Sequence, residues 1–114
     1  MIYLDRTTTV LQIVLGGAVA TNQLQAVVCF YDENLSGGFS KGAPQTENSN
    51  NTTEVTICSA PAQNFVRCIE TVSIYNRDTA SATVTVKLDE NGTEAIILGQ
   101  TLATLETLLY EHGN

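Results

Sequence analysis

Between Val72 and Thr93 two runs of alternating apolar and polar side chains flank a short polar connection, and this pattern constrains the fold more than any other part of the chain. In Val72-Ser73-Ile74-Tyr75 and again in Ala82-Thr83-Val84-Thr85-Val86-Lys87-Leu88-Asp89 the period is two. That is the signature of strands with one face on a core. The connection, Asn76 to Ser81, is made of residues that accept turn geometry. The second run closes on Asp89-Glu90-Asn91-Gly92, and Asn-Gly supplies the positive φ angles of a tight hairpin. Consecutive antiparallel strands follow, and with them an all-β chain.

Five further segments extend the reading to seven candidate strands. Thr8 to Leu15 ends at Gly16-Gly17, a turn or bulge before Thr21-Asn22-Gln23. Leu24 to Tyr31 is apolar on both faces and is expected to be central or covered on both sides. Glu54 to Ser59 follows, then Phe65 to Asn76 with a bend near Glu70, Ala82 to Asp89, Thr93 to Leu102 and Glu106 to His112. Leu105, Leu108 and Leu109 also fit helical spacing. A helix there would be short and uncapped, so a strand is preferred. The expected fold is an antiparallel β-sandwich of seven to eight strands, with a jelly roll among the topologies it admits.

Asp32 to Thr53 breaks the pattern. It holds Ser36-Gly37-Gly38, Lys41-Gly42-Ala43-Pro44 and the polar run Glu47 to Thr53, a composition that favours a long exposed loop after the second strand. A loop of that length in a compact domain points to a binding or intersubunit role. Phe39 at its centre needs an apolar partner, either a neighbouring subunit or the parent domain. Leu35, Phe39 and Lys41 are the candidate interface residues. Phe39 with the Asn48–Asn51 run is the one candidate shelf for a glycan.

A chain of 114 residues makes one domain, residues 1–114, able to bury a core. With 43% hydrophobic and 15% charged residues it is neither disordered nor built of membrane helices. Met1 to Arg6 lacks the basic start and apolar middle of a signal peptide, so synthesis and use without Sec-type export are expected. A net charge of −7 repels phosphate, and Arg6, Lys41, Arg67, Arg77 and Lys87 are scattered, which argues against a nucleic-acid partner. Cys29, Cys58 and Cys68 contain no C-x-x-C pair. Buried free thiols are expected, with a Cys58–Cys68 bridge as the alternative.

Catalytic chemistry finds little to use. The single histidine, His112, cannot build a triad or a multi-histidine metal site. Asp89, Glu90 and Glu94 cluster without the spacing of a calcium loop. No phosphate-binding glycine motif and no G-x-S-x-G nucleophile motif occurs. The expectation is a protein that is not an enzyme, with no cofactor and no metal.

The order Leu11 to Leu24, the block Ala60-Pro61-Ala62, the run Val72 to Val86, the turn Asp89 to Thr93 and the closing Thr101 to Leu108 together resemble small structural proteins of tailed-bacteriophage virions. These motifs specify strands and turns, not chemistry. The resemblance implies a β-sandwich subunit of a phage particle, either a capsid decoration (cement) protein or a neck or tail-fibre part. It further implies assembly in the host bacterial cytoplasm, self-association as a dimer or trimer, and contact with a major capsid protein or other virion proteins. Symmetric homo-oligomers are the rule for such subunits. A receptor-binding module for host-surface glycans is the alternative.

Overall fold

The computed structural model describes residues 1–112. The chain forms ten strands and no helix: β1 (Ile2–Leu4), β2 (Thr9–Leu15), β3 (Gln25–Asn34), β4 (Phe39–Lys41), β5 (Gln45–Asn48), β6 (Val55–Cys58), β7 (Phe65–Tyr75), β8 (Ala82–Glu90), β9 (Thr93–Leu102) and β10 (Thr107–Glu111). They make two antiparallel sheets. In the first, β7 and β3 are central, β1 and β10 share the free flank of β7, and β4 and β5 share the free flank of β3. The second runs β6-β2-β8-β9.

The period-2 pattern does what physics requires of it. Leu11, Ile13 and Leu15 of β2, Ala26, Val28 and Phe30 of β3, Val72 and Ile74 of β7, and Val84 and Val86 of β8 are buried in one apolar core between the sheets. A one-residue slip in any of these strands would turn its apolar set to solvent, so the register is fixed by burial. The expected bend near Glu70 is a register shift: Cys29 pairs with Thr71 and Phe30 with Ile69, leaving Glu70 as the extra residue. Asn91 and Gly92 take the positive φ angles, 52° and 94°, that the β8–β9 hairpin needs.

The corners are held by buried polar groups. Asn76 donates its side-chain amide to the carbonyls of Ala80, Leu102 and Ala103 and accepts from the amide of Asp78. Asp78, only 2% exposed, accepts the backbone N–H groups of Ala20, Thr21 and Asn22. The Asn22 and Ala20 amides lead in holding its carboxyl down at about 2. One end of the core is closed by Arg67, which makes a two-pronged pair with Asp32 at 2.8 and 3.0 Å and lies 4.1 Å over the Phe30 ring.

Two expectations need correction. The strand count is ten, because β1, β4 and β5 are too short, or too exposed on both faces, to leave an alternation. Asp32–Thr53 is not a structureless excursion: β3 runs on to Asn34, turns at Gly37-Gly38, returns as β4, and reaches β5 on the same flank. Its polar side chains suit strands that take their ladder bonds from β3 and show almost everything else to water. As expected, β3 is central in its sheet; its outward face is not covered by any other part of the described chain, and Val27, Cys29 and Tyr31 there stay half-buried. The strand reading of the C-terminal segment holds: Leu108 is buried while Leu105 and Leu109 are exposed, a pattern of β10 and its turn.

Candidate binding face

The outward side of the first sheet gathers aromatic side chains. Tyr3, Cys68, Tyr31 and Lys41 stand in one cross-strand row over β1, β7, β3 and β4, and Val66, Glu33 and Phe39 form the next. Same-face neighbours on adjacent strands are within contact distance. The Phe39 ring meets the Tyr31 ring edge to face, with centroids 6.0 Å apart and planes at 70°. Phe39 is nevertheless 76% exposed. Tyr31, Glu33, Phe39, Lys41 and Glu70 line a cleft of about 310 Å³.

The polar groups of this face satisfy one another loosely. The Lys41 ammonium pairs with Glu70 at 3.0 Å, largely in solvent. Such a pair contributes at most about 1 kcal/mol and is readily exchanged for an outside partner. The Cys68 thiol lies 3.9 Å from a Glu33 carboxylate oxygen. Its hydrogen bond with Cys68 pushes the Tyr31 hydroxyl above its ordinary range. Burial, aided by the Glu33 and Asp32 charges, pushes the Cys68 thiol upward, so it is protonated at neutral pH. A protonated thiol is a poor nucleophile. What this face offers is therefore apolar and aromatic contact with a few charged groups at its rim.

Of the candidate interface residues, Phe39 and Lys41 line the cleft, whereas Leu35 sits exposed in the β3–β4 turn and takes no part in its lining. The proposed partnership of Phe39 with the Asn48–Asn51 run is not formed. Phe39 pairs with Glu33, and Asn48 with Gln25, at opposite ends of β3. Eight residues of strand put them about 26 Å apart. Asn51 instead fastens loops, accepting from the Val19 amide and the Gln23 side chain, and Asn48 accepts from Arg77. Tyr3 and Tyr31 were missed as members of the site. Only strand register puts Tyr31 next to Phe39 and brings Tyr3 onto the same outward face, across Cys68 from Tyr31.

The remaining candidates disperse. Asp89 binds the Gly92 amide, Glu90 accepts from Thr8 and Thr9, and Glu94 pairs with Lys87 at 3.0 Å. Among the described residues no three His, Cys, Asp or Glu side chains converge on a point. Gly16 and Gly17 border a second cleft with Ala18, Ser81, Ala82 and Thr83 that has no titratable side chain in its lining. Cys58 faces the core from the second sheet, whereas Cys68 belongs to the outward row of the first, and all three cysteines are free. Burial pushes the Cys58 thiol up to about 11.

Fold and face together define an all-β, two-sheet domain with an aromatic outer surface. Comparison of the chain with protein-family models, with curated proteins and with solved structures returned no match.

Proposed function

We propose that the protein is a non-enzymatic structural component of a bacteriophage virion, a capsid decoration or cement protein that docks on the head shell through the outward face of its first sheet. The observation that carries this reading is Phe39, three-quarters exposed beside Tyr31 on a sheet face that no other part of the described chain covers. Exposed aromatics of this kind are the usual anchors of protein interfaces. Within this reading the sandwich is a jelly roll. In support, the chain crosses between its sheets at six of nine connections, and β10 and β1 lie end to end along β7 as one interrupted edge. The sheets then contain four strand tracks each, the number in a jelly roll.

The test is electron cryomicroscopy of the intact particle, with a Phe39→Ser variant added back to particles lacking the protein. Hundreds of wild-type copies on the head and loss of binding by the variant are expected. Copies confined to the neck or tail would overturn the decoration reading. A second reading, a neck or tail-fibre subunit or glycan-binding module, is favoured by the cleft itself, which sets Tyr31 and Phe39 beside the carboxylates of Glu33 and Glu70. Saturable binding of host-surface oligosaccharides, lost on Phe39→Ser, would support it over docking on the shell.

A further inference from the structure

We infer that two copies of this chain pair through β9, edge to edge and antiparallel, to continue the second sheet across a two-fold axis. This contact is separate from the Phe39 face. Among the described residues β9 pairs only with β8, so alternate residues along its ten-residue length present unpaired backbone N–H and C=O groups on its other side. Such an edge is a template for another strand.

The other edges are protected. β4 and β5 have three and four residues. β6 has four and is clipped to β5, where Gln45 and Ser59 exchange two hydrogen bonds of 2.9 and 3.0 Å. β1 and β10 are short and meet end to end. β9 has neither proline nor lysine, the usual guards of an edge. Its only charge, Glu94, pairs with Lys87, which Glu54 shares. From Ala95 to Leu102 it is neutral in a chain of net charge −7.

That neutrality selects the occupant. A net charge of −7 disfavours self-association through acidic surface, and the uncharged Ala95–Leu102 segment of β9 avoids that repulsion. An antiparallel strand beside its own copy is self-complementary, which a closed dimer requires. The bulge at Ile97, the residue left over where Val86 pairs with Leu98 and Lys87 with Ile96, leaves Leu98 to Leu102 as the regular segment. Centring the axis beside Gln100 pairs Leu98 with Leu102 and Gly99 with Thr101. It also carries Ile96 of each copy to the Ala103–Glu106 turn of the other. Ile96 is 74% exposed and Leu105 in that turn 67% exposed. Two large apolar side chains that the monomer leaves in water thereby cover each other.

Sedimentation of the full chain at tens of micromolar tests the inference, with Ile96→Lys, Gln100→Lys and, as a control, Phe39→Ser. All three positions are exposed, so strand content by circular dichroism should not change. A wild-type dimer is expected. Gln100→Lys sets like charges together across the axis, and Ile96→Lys replaces the apolar contact with the partner copy's turn by a charge, so each should raise the dimer dissociation constant, Gln100→Lys by about a hundredfold or more. The Phe39→Ser control should remain dimeric, so failure here is separable from failure of the docking face. A monomeric wild type, a trimer or larger closed assembly, or lysine variants that dimerise like wild type would each overturn the pairing. Should either variant misfold, hydrogen exchange of wild type decides. The outward-facing amides of Gly99 and Thr101 must gain protection with concentration, and constant exchange there refutes the contact.

Discussion

Gly42 tests whether the β4–β5 connection is built onto the core or merely hangs beside it. A Cβ added at Gly42 would lie 2.1 Å from Phe30 Cε2, 2.3 Å from Cζ and 2.8 Å from Cδ2. Carbon atoms in good contact stand about 3.5–4.0 Å apart, so Gly42→Ala demands a relative displacement of about 1.5 Å. Phe30 cannot yield freely. It is buried in the core, with the Arg67 guanidinium 4.1 Å over its ring and Arg67 in turn clamped to Asp32. If the ring stays, the connection must retreat and stretch the bond from the Gly42 amide to the Phe30 carbonyl, now 3.2 Å.

Overpacking of this kind costs about 1–3 kcal/mol. Loss of the cation–π contact adds about 1 kcal/mol. A destabilisation of about 2–4 kcal/mol is expected. With a urea dependence of about 1.5 kcal/mol/M, the unfolding midpoint should fall by about 1–3 M. Phe30→Leu removes the clashing ring edge, so Gly42→Ala should cost less than about 1 kcal/mol in that background. The difference is the coupling read by a double-mutant cycle. A Gly42→Ala midpoint within error of wild type, or equal costs in both backgrounds, would refute the packing argument.

Two further outcomes follow from the turns and corners. Asp78 is held ionised by backbone amides, so its carboxyl is depressed in the folded chain relative to an ordinary value near 4. Its contribution is complete above that value and is lost as pH falls toward about 2. Acid titration followed by circular dichroism should show stability dropping over that window, and Asp78→Asn should flatten the drop; an unchanged profile excludes Asp78 as the acid-sensitive group. Leu105 adopts φ 68°, where an L side chain pays a steric penalty, and its side chain is exposed. Leu105→Gly should therefore raise monomer stability by about 0.5–1 kcal/mol in a thermal melt at dilute concentration, and a loss of stability would show that the side chain packs somewhere.

How much of this was legible in the sequence depends on how each residue is buried. Strands with one face on the core, such as Thr9 to Leu15 and Ala82 to Glu90, leave a period of two and are readable to within a residue. Ile2 and Leu4 are buried with Tyr3 between them, but three residues are too few to outweigh chance. β4 and β5 are exposed on nearly every side chain, and their stability comes from backbone bonds to β3. Side-chain periodicity says nothing about those bonds. Gly42 gives no hint of its contact with Phe30, because a glycine chosen for space looks like a glycine chosen for a turn.

The candidate face was legible in one residue and hidden in the rest, and the reason is geometric. Phe39 stands out because it is aromatic in a polar stretch. Tyr3 and Tyr31 do not, since each lies in an apolar run where the simplest expectation is burial. Their grouping needs the register Tyr3 to Cys68 to Tyr31 to Lys41, which joins four strands distant in the chain. The doubly apolar character of Leu24 to Tyr31 did carry the message. It called for a strand that is central or covered on both faces, and β3 is central, with only its core face covered within the described chain. An apolar outer face retained on a central strand costs solubility unless something binds it. In the function proposed above this is the face a partner covers, and Phe39 with Tyr31 marks its exposed aromatic part.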